Sequence, residues 1–234
     1  MICRNCNQES ENKYCSNCGS AMAVRRLTIS SVTHEVLHTF SHFDKGFLYT
    51  LAELLKHPGL MQKKYVEGYR SGYQKPFSMF FVCATIYGIA MYFIINPSAQ
   101  YNLQNNGEIK MHFYRHYFVF LQAILLPLYV LIYWILFRSK DFNYAEAFVS
   151  FLYSLSFLLL LLIPLNMVNL LPFEISEKYI EIPAVAVYLI WTNLNYFKLR
   201  NTFFTIFKTI VLLLLVEFIS NSCIDYIVGH KLLV

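Results

Sequence analysis

Two stretches of this chain, Tyr117–Phe137 and Ala147–Pro172, contain no charged residue. A bilayer's hydrocarbon core is about 30 Å thick and is crossed by about 20 apolar residues in a helix, so each stretch is long enough to span it. Pro76–Ile95 is a third such run. Ile182–Phe197 is shorter and weaker, and Thr209–Val228 is a fifth that contains Glu217 and Asp225. The composition follows from these runs: 57% hydrophobic and 14% charged residues, with a mean hydropathy of +0.44, lie well outside an ordinary soluble domain. The expected fold is an all-α polytopic membrane protein, a bundle of about five transmembrane helices with spans near 76–95, 117–137, 147–172, 182–197 and 209–228. No cleavable signal peptide is expected ahead of the first span, which should act as an uncleaved anchor.

Basic residues orient the bundle. With five spans and the N-terminus inside, the inside segments hold 15 Lys and Arg and the outside segments hold 4. That is a positive-inside pattern, and leaving out the weak span at 182–197 fits it less well. The expected topology puts the N-terminus on the cytoplasmic side of the membrane and the C-terminus on the opposite side. The net charge of +5 is then chiefly a topology signal, and no nucleic-acid partner is expected.

The polar front end carries a different chemistry. Cys3 and Cys6 form one C-x-x-C knuckle, and Cys15 and Cys18 form a second, with Gly19 behind it. Two such knuckles let four thiolates converge on one Zn²⁺ in a closed, structural site. The competing reading is two disulfides in an exported head, but a cytoplasmic head keeps its thiols reduced. Residues 1–20 are thus expected to be a cytoplasmic zinc ribbon whose folding energy is metal binding.

Residues 27–75 lie between ribbon and bundle. Ile29, Val32, Val36, Leu37, Phe40, Phe43 and Phe47 fall on one helical face, an amphipathic pattern suited to the bilayer surface or to the bundle. A second helix is expected over Phe47–Lys56, stopped at His57-Pro58-Gly59, and a third over Leu60–Tyr69. Lys63, Lys64 and Arg70 could meet anionic lipid headgroups. Tyr65, Tyr69 and Tyr73, spaced by four, suggest an interfacial stripe. On the polar face of the first helix, His34, Glu35 and His38 spell H-E-x-x-H, with His42 one turn later and Asp44 beyond. Two histidines one turn apart can hold a metal ion and the glutamate can activate water, so His34, His38, His42 and Asp44 are candidate ligands of a second metal and Glu35 a candidate base. The bland reading is a solvated polar face.

These residues resemble a family of Bacteroidota membrane proteins, the domain of unknown function 3667. The resemblance rests on the knuckles, the His34-Glu35-x-x-His38-x-x-x-His42-x-Asp44-Lys45-Gly46-Phe47 run, Leu54-Leu55, Pro58-Gly59, Tyr65, Gly68-Tyr69-Arg70, Tyr73 and Pro76-Phe77. It covers residues 1 to about 95, and typical members read Gly-Lys-Arg at Gly68-Tyr69-Arg70. It implies an inner-membrane protein with a cytoplasmic zinc ribbon, places the histidine cluster within the family pattern, and brings no biochemical activity.

Glu217 lies nine residues past Lys208, about 13.5 Å deeper along a helix and so near mid-membrane. An intramembrane carboxyl needs a polar partner or a wet cavity. Asn166 and Asn169, with Asn193, Asn195 and Gln122, are the candidate partners, and interhelical hydrogen-bond glue is the plainest role for all of them. Pro127 and Pro164 interrupt two spans. His112 and His116 read as interfacial anchors, and Cys83 and Cys223 as small buried apolar residues. No nucleophile elbow, phosphate loop or dinucleotide fingerprint is present, which argues against a nucleotide-driven enzyme.

Three functions are compatible with this pattern. The first is a scaffold or sensor whose ribbon engages a cytoplasmic protein while the bundle meets lipid. The second is a membrane metalloenzyme using the histidine cluster. The third is a small transporter using Glu217, for which no internal repeat speaks.

Overall fold

The computed structural model describes residues 2, 3, 6, 8, 9, 13–17, 28, 46–94, 106–139, 142–167, 178–197 and 202–229. Among them the chain forms seven helices: α1 (Phe47–Lys56), α2 (Pro58–Val66), α3 (Pro76–Ile94), α4 (Asn106–Leu136), α5 (Tyr144–Met167), α6 (Lys178–Phe197) and α7 (Thr202–Gly229). No strand occurs among the described residues; Ile2 pairs with Glu9, and Ser139 with Phe142, in isolated bridges.

Four helices are long and apolar enough to cross a membrane: α3, the Val119–Leu136 part of α4, α5, and the Thr202–Ile227 part of α7. Helices α4 and α5 run on through Pro127 and Pro164. The α5 helix is central, with packed residues along nearly its whole length from Ala145 to Asn166. Its start is fixed by a reciprocal cap: the Glu146 N–H donates to Asn143 Oδ1, and the Asn143 N–H donates to Glu146 Oε2, each at 2.8 Å. Two orphan donors at the helix N-terminus are thereby satisfied.

The weak span, α6, does not meet the same apolar standard, yet it lies alongside the others. It runs antiparallel to α5: Phe142 meets Tyr196, Phe157 stacks on Tyr188 at 4.6 Å, and Asn166 Nδ2 donates to Glu181 Oε1 at 2.7 Å. It runs parallel to α4, with Tyr133 donating to Asn193 Oδ1 at 3.2 Å and Phe137 stacked on Phe197. Its 20 residues extend for about 30 Å, the thickness of the hydrocarbon core. At one end of the bundle Tyr133, Phe137, Phe142, Tyr196 and Phe197 form a block of rings in mutual contact.

The short helices close that same end. Lys56 ends α1, and His57 joins it to α2, where Pro58 occupies the first turn with its fixed φ. Leu54, Met61 and Tyr65 are buried against Met79 and Cys83 of α3, Val149, Tyr153 and Phe157 of α5, and Tyr188 of α6. At Gly59, α2 touches α6 so closely that a Cβ would stand 2.1 Å from the Thr192 carbonyl oxygen. The end of α2 is a Schellman motif: Gly68 has φ +107°, its N–H donates to Tyr65 O, and the Tyr69 N–H reaches back to Lys64 O. The helix therefore ends at Val66 instead of Tyr69, so Tyr65, Tyr69 and Tyr73 do not share one helical face. Tyr65 is buried with its ring edge-on to Tyr153 and to Tyr73, which the turn at Gly68 brings back beside it.

Candidate functional site

The cysteine head gathers its thiols. The Sγ atoms of Cys3, Cys6 and Cys15 all lie within 4.8 Å of one another, and those of Cys6 and Cys15 are 3.4 Å apart. Cys3 and Cys15 are 1% and 3% exposed in a segment with little else to bury them. The backbone builds the first knuckle as a hairpin-like turn, with Cys3 N–H donating to Gln8 O at 2.9 Å beside the Ile2–Glu9 bridge. None of the described cysteines is in a disulfide.

Four thiolates around Zn²⁺ at about 2.3 Å would stand about 3.8 Å from one another, close to the spacing found here. The donor set fits a thiophilic metal, and three of the four expected ligands converge on one point. Cys18, the fourth, lies outside the described residues. So do His34, Glu35, His38, His42 and Asp44, the apolar face from Ile29 to Phe43, and Asn169.

A second polar assembly sits where α1, α2 and the turn after Gly68 cap the bundle. Thr50 Oγ1 accepts the Gln74 N–H at 2.7 Å, and the Gln74 carbonyl accepts the Tyr153 hydroxyl at 2.5 Å. The Gln74 side chain donates to Ser78 Oγ, and Gln62 Nε2 donates to Ser154 Oγ at 3.0 Å. Gln62 and Gln74 are 1% and 0% exposed, and the Oε1 atom of each has no hydrogen-bond partner among the described residues. Burial and the neighbouring Tyr49 push the Tyr73 phenol up. Arg70 sits over the Tyr65 ring at 5.7 Å and donates to Tyr65 O at 3.3 Å. In the sequence Tyr65, Arg70 and Tyr73 stood out as anchors or as part of the family pattern; Thr50, Gln62, Gln74, Ser78, Tyr153 and Ser154 did not.

Within the bundle the polar residues pair differently from expectation. Asn166 takes Glu181, not Glu217. Asn193 donates to Thr209 Oγ1 at 3.0 Å and accepts from Tyr133. Gln122 and Tyr129 both reach Ser220, at 3.4 and 2.6 Å. Asn195 turns back to the Trp191 carbonyl of its own helix. Glu217 is exposed and accepts Asn221 Nδ2, on its own helix, at 3.0 Å. Cys83 is buried as expected, Cys223 only half-buried.

The class these observations define is a protein whose described residues are helical apart from the cysteine head and the connecting turns, with four helices among them fit to cross a membrane, capped at one end by two short helices. Residues 44–88 match the family described as Protein of unknown function (DUF3667), so the resemblance seen in the sequence holds over α1, α2, the Schellman turn and most of α3. The cysteine knuckles and His34, His38 and His42 lie outside the matched residues. No curated protein and no solved structure matches the chain.

Proposed function

We propose that this protein is a membrane scaffold or sensor whose N-terminal head binds one structural Zn²⁺ and engages a partner protein in the cytoplasm. The observation that carries the reading is the convergence of the Cys3, Cys6 and Cys15 thiols. Cys18 is the proposed fourth ligand. Zinc held by four thiolates has no open position for substrate, so its contribution is folding energy. The head also offers apolar contact surface: Ile2 and Tyr14 are 63% and 64% exposed beside the knuckles.

The cytoplasmic assignment is supported by where the cations fall. Lys56, Lys63, Lys64, Arg70 and Lys75 accompany the cap, while Arg138 and Lys208 flank the aromatic end of the bundle that the cap closes. Basic residues gather on the cytoplasmic side of bacterial inner-membrane proteins. The reading therefore keeps the N-terminus cytoplasmic and, with α6 crossing, the C-terminus periplasmic.

Elemental analysis of the purified full chain tests it. One zinc per chain is expected, lost in Cys3→Ser and Cys15→Ser together with binding of the cytoplasmic partner. Full retention of zinc in either variant overturns the proposal. A metal that survives deletion of residues 1–20 and vanishes in His38→Ala would instead mark a metalloenzyme.

A further inference from the structure

Helix α7 is the least enclosed of the four apolar helices: 17% of its stretch is buried, against 56% for α5. Its outward residues have a pattern. Phe203, Phe207, Ile210, Leu214, Glu217 and Asn221 follow one another at steps of four, three, four, three and four, and all six are exposed. That alternation is the a/d seam of a helix pair. The remaining outward faces differ in chemistry. On α4, Phe120, Ile124, Leu128, Leu131 and Ile135 are exposed and wholly apolar, as lipid requires. On α3 the exposed Thr85 returns its hydroxyl to Phe81 O. On α7, Ser222 likewise donates to Phe218 O.

Glu217 and Asn221 cannot be accounted for in that way. They lie within the Thr202–Ile227 apolar stretch, Glu217 close to its midpoint, and among the described residues their side chains hydrogen-bond only to each other. One bond uses one of the two Asn221 donors and leaves its carbonyl oxygen, and a carboxylate accepts up to about four hydrogen bonds. Lipid tails offer no partner for either group.

We infer that the α7 seam is a self-association surface: a second copy of this chain packs against it in parallel, about a two-fold axis along the membrane normal. Both copies insert with the same orientation, so such an axis brings Asn221 to Asn221 at one depth. A carboxamide is donor and acceptor at once, so two asparagines facing each other satisfy one another without any other chemistry. This is how a single polar position in an apolar seam fixes register and favours pairs. The self-complementarity favours a second copy over an unlike partner, and it stands independently of the cysteine head.

The test uses the full chain. A photo-cross-linking residue placed at Leu214 should give a homodimer in native membranes, and the same residue at Leu128 should not. In liposomes, single-molecule photobleaching should show two copies per spot, with dissociation about tenfold easier in Glu217→Leu/Asn221→Leu. Both positions are exposed, so this variant keeps the monomer fold, and Glu217→Gln should retain the dimer. Capture of an unlike protein or of lipid alone at Leu214, equal homodimer at Leu128, or undiminished pairing in the double leucine variant would each overturn the inference.

Discussion

Gly59 shows most directly how a family-pattern residue works here. Its missing side chain lets α2 lie against α6, with Thr192 O at 2.1 Å and Tyr196 N at 2.5 Å from where a Cβ would be. Both neighbours are backbone, which yields poorly. Gly59→Ala should therefore cost about 1–3 kcal/mol as overpacking, read as an earlier thermal unfolding midpoint in detergent. Gly88→Ala is the control: nothing lies within 4 Å of its Cβ position, so it should be neutral or slightly stabilising through helix propensity. Tyr153→Phe removes the hydroxyl that caps the Gln74 carbonyl, leaving a buried acceptor with one partner fewer, and should cost about 1–3 kcal/mol in the same assay. Gly59 was visible in the sequence as punctuation, whereas the helix expected over Leu60–Tyr69 ran through Gly68. The closeness that Gly59 permits was not visible, because its counterpart, Thr192, is set by a helix far along the chain. Gln62 and Gln74 were silent for the same reason: their partners Ser154 and Tyr153 belong to α5.

At the level of elements, legibility followed apolarity. The runs that became α3, α4, α5 and α7 announced themselves, since a long uncharged run in a helix has few alternatives. Their ends were less clear: α5 begins at Tyr144, where the Asn143–Glu146 cap sets it, and α7 begins at Thr202, before Lys208. Helix α6 read weakly because it carries Glu181, Thr192, Asn193 and Asn195. The structure explains why it can still lie among apolar helices. Glu181 receives Asn166, Thr192 donates to Tyr188 O, and Asn193 is held between Tyr133 and Thr209. Hydropathy charges each polar group for losing water and cannot see the partner that replaces it. The tyrosine stripe failed in the opposite direction, since counting by fours presumes a helix that Gly68 ends. If α6 crosses, five traverses put the two chain ends on opposite sides of the membrane. A phosphatase reporter fused after Val234 should then be active in the periplasm, and a fluorescent protein at the same place dark when exported unfolded. The reverse result would leave four crossings and α6 lying within one leaflet or beside it.

The whole molecule divides its stability between two unlike sources. The bundle holds its own core, with Tyr129, Val130, Leu152, Tyr153 and Leu159 almost fully enclosed, and the α1–α2 cap is part of that packing. Among its described residues the head buries Cys3 and Cys15, far too little surface to offset the conformational entropy of ordering a short chain. If a metal supplies the difference, removing it should affect one part and spare the other. Chelation of the purified protein with a strong thiophilic chelator should expose residues 1–20 to protease and make the four head thiols reactive. The bundle's thermal midpoint and helical circular dichroism should stay where they were, because neither depends on the thiols. Cys83 provides an internal reference: buried within α3, it should remain unreactive throughout. A bundle that melted earlier on chelation would show that the head braces the membrane helices. Head thiols unreactive after complete metal loss would show that the segment folds without the ion.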